Sequence, residues 1–97
     1  MNTAIILMKL TEQGIKTIKD APERIEQGIK SFEAMGGKVL AFYSTMGEFD
    51  YVAIGQGPSD EVLMTFALAL GSRGNVRTVT LKAATKEEFF SLVKKLP

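Results

Sequence analysis

The 97-residue sequence predicts an α+β domain in which four antiparallel strands carry helices on one face. Three observations point there. Hydrophobic periodicity switches between the strand and helix repeats in the order β-α-β-β-α-β, followed by one more helix. Turn and cap residues fall at the switches. Three of the four strand segments are apolar on both faces, although the chain has helices for only one. The length fits one domain, residues 1–97.

The first strand, Thr3 to Met8, is apolar on consecutive residues, the pattern of a strand buried on both sides. Thr11-Glu12-Gln13-Gly14 opens a helical pattern in which Ile15, Ile18, Ile25, Ile29 and Phe32 form one stripe. Pro22 falls on that stripe, and proline inside a helix removes a hydrogen bond and clashes with the preceding turn. The segment therefore reads as a short helix at 12–19 and a main helix at 21–35, restarted by an Asp20 cap, Pro22 in the first turn and Glu23 as a capping-box acid. Gly36-Gly37 ends it.

Lys38 to Thr45 and Phe49 to Gln56 read as a hairpin around Met46-Gly47-Glu48. Pro58-Ser59-Asp60-Glu61 opens a helix that runs to about Gly71 and is apolar nearly all round. Gly74-Asn75 turns the chain into a strand from Val76 to Ala83. Thr85-Lys86-Glu87-Glu88 is a capping box for a last helix, whose stripe of Phe89, Leu92, Val93 and Leu96 is expected to pack back onto the body.

This order is the split-βαβ, ferredoxin-like arrangement. Strict alternation sets Ile5 and Leu7 against Ile6 and Met8, Val39 and Ala41 against Leu40 and Phe42, and Val52 and Ile54 against Tyr51 and Ala53. An apolar sheet face of that extent exceeds what a monomer normally leaves in water. A second copy is expected to cover it, giving a dimeric α+β barrel, with further assembly through the apolar second helix.

Composition narrows the function classes. Twelve basic and eleven acidic residues give a net charge of +1 without a basic run, which disfavours nucleic-acid binding through phosphate neutralisation. There is no His and no Cys, so the common nucleophile–base pairs, zinc sites and disulfides are unavailable, and neither a metal nor a cofactor is expected. The apolar run Ile5 to Met8 is too short for a signal or a membrane span, so a cytoplasmic protein is expected.

Lys9, Tyr43, Asp50, Tyr51 and Arg73 remain as candidate ligand-binding residues. Glu48 and Asp50 are two apart and share a face on an extended backbone, as acid–base work or a hard cation would require; equally, Asp50 can bond turn amides beside Gly47. Tyr43 and Tyr51 flank the hairpin turn. If they share a face, their hydroxyls converge near Lys9 or Arg73 at the rim of a cavity between sheet and helices; otherwise the rings fill the dimer interface. Gly55-x-Gly57 before the Ser59-Asp60 helix start has the amides for an anion, but Asp60 and Glu61 already occupy that positive end.

Met8-Lys9-Leu10-Thr11-Glu12-Gln13-Gly14, Asp20-Ala21-Pro22, Ala34-Met35-Gly36-Gly37-Lys38, Gly47 to Tyr51 and Gly74-Asn75-Val76-Arg77-Thr78 together resemble the GYD-domain family. The Gly-Tyr-Asp signature corresponds to Gly47, Phe49 and Asp50, so the phenol is absent here. The resemblance implies a ferredoxin-like dimeric α+β barrel of undetermined biochemistry. Gly47 and Asp50, Asp60 at a helix start, and Gly74, Val76 and Thr80 are also similar to the amino-acid-binding effector domain of the leucine-responsive and asparagine regulators, which implies a small metabolite between subunits. Three functions follow as expectations: a small-molecule-binding homo-oligomer, a cofactor-free isomerase or monooxygenase using Tyr43, Tyr51, Asp50 and Lys9, or a structural and interaction module.

Overall fold

A computed structural model describes residues 1–97. The elements are β1 (Asn2–Leu10), α1 (Glu12–Lys16), a 3-10 turn (Ile18–Asp20), α2 (Ala21–Ala34), β2 (Lys38–Ser44), β3 (Tyr51–Gly57), α3 (Asp60–Ser72), β4 (Val76–Ala83) and α4 (Lys86–Lys94). The strands form one antiparallel sheet in the order β2-β3-β1-β4. This is the ferredoxin-like α+β fold, with β1 and β3 in the middle.

Helix starts follow local chemistry. Thr11 accepts from the Gly14 amide at 3.1 Å and Ser59 from the Val62 amide at 3.2 Å, each satisfying an orphan donor of a first turn. Asp20 departs from expectation. Its side chain caps nothing, because the 3-10 turn already carries the backbone into α2 with helical dihedrals and Pro22 needs no donor in the first turn. The predicted helix over 12–19 thus splits, α1 ending at Lys16.

The helices α2 and α3 cover the sheet face that displays Ala4, Ile6 and Met8 of β1 and Tyr51 of β3. Phe32, 1% exposed, is the most deeply buried large side chain; it lies 4.7 Å from the Phe66 ring and against Gly37 and Gly55. In β2 the register passes from Val39↔Gly55 to Ala41↔Ile54, so Leu40 is an extra residue in a bulge. The alternation expected there is therefore corrected. Val39 and Phe42 both pack against the core under the helices, while Ala41 and Tyr43 join the opposite face.

That opposite face carries Ile5 and Leu7, Ala41 and Tyr43, Val52 and Ile54, and Val79 and Leu81. No helix of the chain lies over it, and Tyr43, Val79 and Leu81 are openly exposed.

The second correction concerns α4. Its capping box forms as expected: the Glu88 amide donates to Thr85 Oγ1 at 3.1 Å and the Thr85 amide to Glu88 Oε1 at 3.0 Å. The backbone hydrogen bond from Thr85, and then its side chain, hold the Glu88 carboxyl below the usual carboxylate range. Yet α4 does not pack back onto the body. None of its residues is buried, and Phe89, Phe90, Leu92, Val93 and Leu96 all face solvent. Ala84 and the cap residue Thr85 alone connect β4 to α4, a link as short as the Pro58-Ser59 one that carries α3 onto the sheet, yet α4 extends from the end of β4 away from the body. The molecule is accordingly long, 53 × 30 × 18 Å.

Candidate functional site

Asp50 comes first, because the hairpin is fixed through it. Its carboxylate accepts from the Leu10 amide at 2.8 Å, its own amide donates to the Met8 carbonyl at 2.8 Å, and its carbonyl accepts from the Thr45 amide at 2.9 Å. The side chain joins the end of β1 to the hairpin rather than bonding turn amides beside Gly47. Replacing Asp50 with alanine removes a charged acceptor from a half-buried amide and is expected to cost about 1.5–3 kcal/mol. Asparagine, which keeps an acceptor, should recover most of that; urea midpoints of the two variants check it.

The other candidates separate. Tyr43 pairs with Val52 and Tyr51 with Ser44, so the two tyrosines lie on opposite faces and their hydroxyls do not converge. Tyr43 is 60% exposed on the open face, whereas Tyr51 is buried beneath the helices, its ring 5.3 Å from that of Phe42. Lys9 pairs across the sheet with Arg77 and lies on the open face, opposite to that of Tyr51. The set Tyr43, Tyr51, Asp50 and Lys9 proposed for catalysis is therefore not assembled into one site.

Two candidates do share a space. Tyr51 and Arg73 both line an open-mouthed cavity of about 310 Å³ between α2, α3 and the sheet. Met8, Phe42 and Tyr51 form part of its floor, Ile25, Gly28 and Ile29 its roof, and Phe66 and Leu70 a wall. Its polar lining consists of Arg24, Gln27, Arg73 and Asn75, besides the Tyr51 hydroxyl; no acidic residue contributes.

Sequence reading missed Arg24 and Gly28. Arg24 projects from the first turns of α2 and is fixed by donating to the Thr17 carbonyl at 2.9 Å, the Thr17 hydroxyl at 2.7 Å and the Gly14 carbonyl at 3.3 Å. Gly28 is buried in the middle of α2, where a glycine costs about 0.5–1 kcal/mol relative to alanine. Close packing does not require it, since a Cβ there would meet nothing within 4 Å. The missing side chain leaves the cavity open. The sequence signal was available: Gly28 interrupts the Ile25, Ile29, Phe32 stripe at a position that should be apolar.

No group of three or more acidic residues is gathered as a metal site would need, and no helix is long and apolar enough to cross a membrane.

The chain is 33% identical over 95 residues to a protein of Thermus thermophilus named glutamine synthetase and cystathionine beta-lyase binding protein. That alignment covers 97% of this chain and 100% of the relative. The GYD domain matches residues 5–93. With the ferredoxin-like fold and an end-to-end relative of the same size, the chain belongs to the GYD-domain family.

Proposed function

We propose that this chain is a non-catalytic binding module of the cytoplasm that acts as a homodimer or larger assembly and docks onto metabolic enzymes. The observation that carries the reading is the uncovered apolar surface, made of the open sheet face and the α4 stripe. Four strands spaced about 4.8 Å apart, each about seven residues long, have a footprint on the order of 400 Å². A stable interface buries about 800 Å² per partner, so the sheet face alone is half of one. The exposed stripe of α4, continuous in sequence with the edge strand β4, is the next apolar surface available. Sheet-to-sheet packing with α4 arms reaching across to the second copy meets both needs and accounts for an arm that its own body does not hold.

The relative's name supplies the class of further partner: a glutamine synthetase, a cystathionine beta-lyase, or both. The test is to mix the purified protein separately with each enzyme of its own organism and follow sedimentation velocity at micromolar concentration. A faster-sedimenting complex with at least one enzyme is expected. No complex with either contradicts the docking reading.

A second reading, binding of a small metabolite, is favoured by the cavity beneath α2, whose volume and mostly apolar lining with a few polar groups match ordinary ligand sites. The two readings use opposite sides of the sheet and are compatible.

A further inference from the structure

We infer that the cavity beneath α2 takes a small apolar or aromatic monocarboxylate, its hydrocarbon part inside and its carboxylate at the mouth against Arg24 and Arg73; this rests on the small-metabolite reading of the same cavity. The volume of about 310 Å³ is at the lower end of the roughly 300–1,000 Å³ typical of ligand pockets, which sets the ligand's size class. The floor and roof are apolar, so an ionised group placed among them would lose its hydration without compensation. A charged head therefore has to sit at the polar end.

That end is positive. Arg24 and Arg73 both line the cavity, and neither belongs to an ion pair of the chain, those being Lys16–Glu12 and Lys82–Asp60. Asp20 and Glu23 lie in an adjoining polar groove that shares Arg24 and do not reach ion-pair distance from it. Three hydrogen bonds hold the Arg24 guanidinium to backbone and hydroxyl oxygens, which orients it before any ligand arrives. A fixed guanidinium fork with spare donors fits a carboxylate. Tyr51, 9% exposed, lines the same cavity, and its hydroxyl makes no hydrogen bond within the chain. Gly28 completes the case, because a buried helix glycine facing open space keeps ligand volume at some cost in helix stability.

The experiment titrates the isotopically labelled full-length protein with octanoate, octanol and octylamine and follows backbone amide shifts. Octanoate is expected to shift Gly28, Ala53 and Val76, and to bind at least about tenfold more tightly than the alcohol or the amine. Arg73→Gln should lower octanoate affinity by about tenfold and leave octanol unchanged. Gly28→Leu should abolish octanoate shifts while the far-UV spectrum stays native. Equal affinity for all three probes overturns the carboxylate assignment and leaves the small-metabolite reading standing. Absence of shifts with every probe overturns both. Shifts confined to Leu7, Val52 and Val79, on the other side of the sheet, also overturn both.

Discussion

Replacing Leu7 with glutamate is expected to leave the protein folded but monomeric at concentrations where the native chain is assembled. Leu7 is central on the open face, paired with Val52 on one side and Val79 on the other. In an isolated chain the glutamate points into water and disturbs little, because no element of its own molecule covers that face. Within a sheet-to-sheet interface it becomes a buried carboxylate without a partner, and twofold symmetry places a second one on the facing copy. Burying such a charge costs several kcal/mol, so dimer affinity should fall at least about a hundredfold. Sedimentation equilibrium reads the affinity and circular dichroism reads the fold. A variant that associates as tightly as the native chain would place the interface elsewhere.

Phe32→Ala is expected to be the most damaging single truncation inside the domain. Its ring is almost wholly buried, tilted 40° against Phe66, and presses on Gly37 and Gly55 so closely that an added Cβ at Gly37 would fall 2.5 Å from it. Few other side chains fill the core, only 13 of 97 residues being buried, and the cavity beneath α2 lies near. Neighbours therefore have little with which to close the hole. Loss of a buried phenylalanine costs about 3–5 kcal/mol, against a total of roughly 5–15 kcal/mol for a domain of this kind. A fall in the urea midpoint of at least about a third is expected, and a loss below about 1 kcal/mol would mean that the core is organised around another residue.

Element order and type were legible because each boundary carries its own chemistry. The Thr85-Lys86-Glu87-Glu88 box, the Ser59 cap and the Gly36-Gly37 stop act locally and appear where the residues imply. The face of β2 was not legible. Val39-Leu40-Ala41-Phe42 is apolar at every position, so inserting Leu40 as a bulge changes which residues face the helices without changing the hydrophobic pattern. From that one residue follows the separation of Tyr43 from Tyr51. Asp50 was visible as a structural aspartate, but its partner, the amide of Leu10, lies 40 residues away and is set by the pairing of β1 with β3.

The position of α4 was misread for a different reason. An apolar stripe at helical spacing states that the helix wants cover, not which molecule provides it. The two-residue connection does not state it either, since Pro58-Ser59 is as short and carries α3 onto the sheet. The cavity depends on Gly28, Arg24 and Arg73 meeting above the sheet, which only the packing of α2 and α3 decides.

Assembly through the open sheet face is the central claim, and sedimentation velocity of the unmodified protein between about 1 and 50 μM tests it most directly. That range is chosen because specific dimers with interfaces near 800 Å² per partner are commonly micromolar or tighter. The prediction is a dimer or larger species across the whole range. A single monomeric species at the highest concentration, with native circular dichroism, would contradict it.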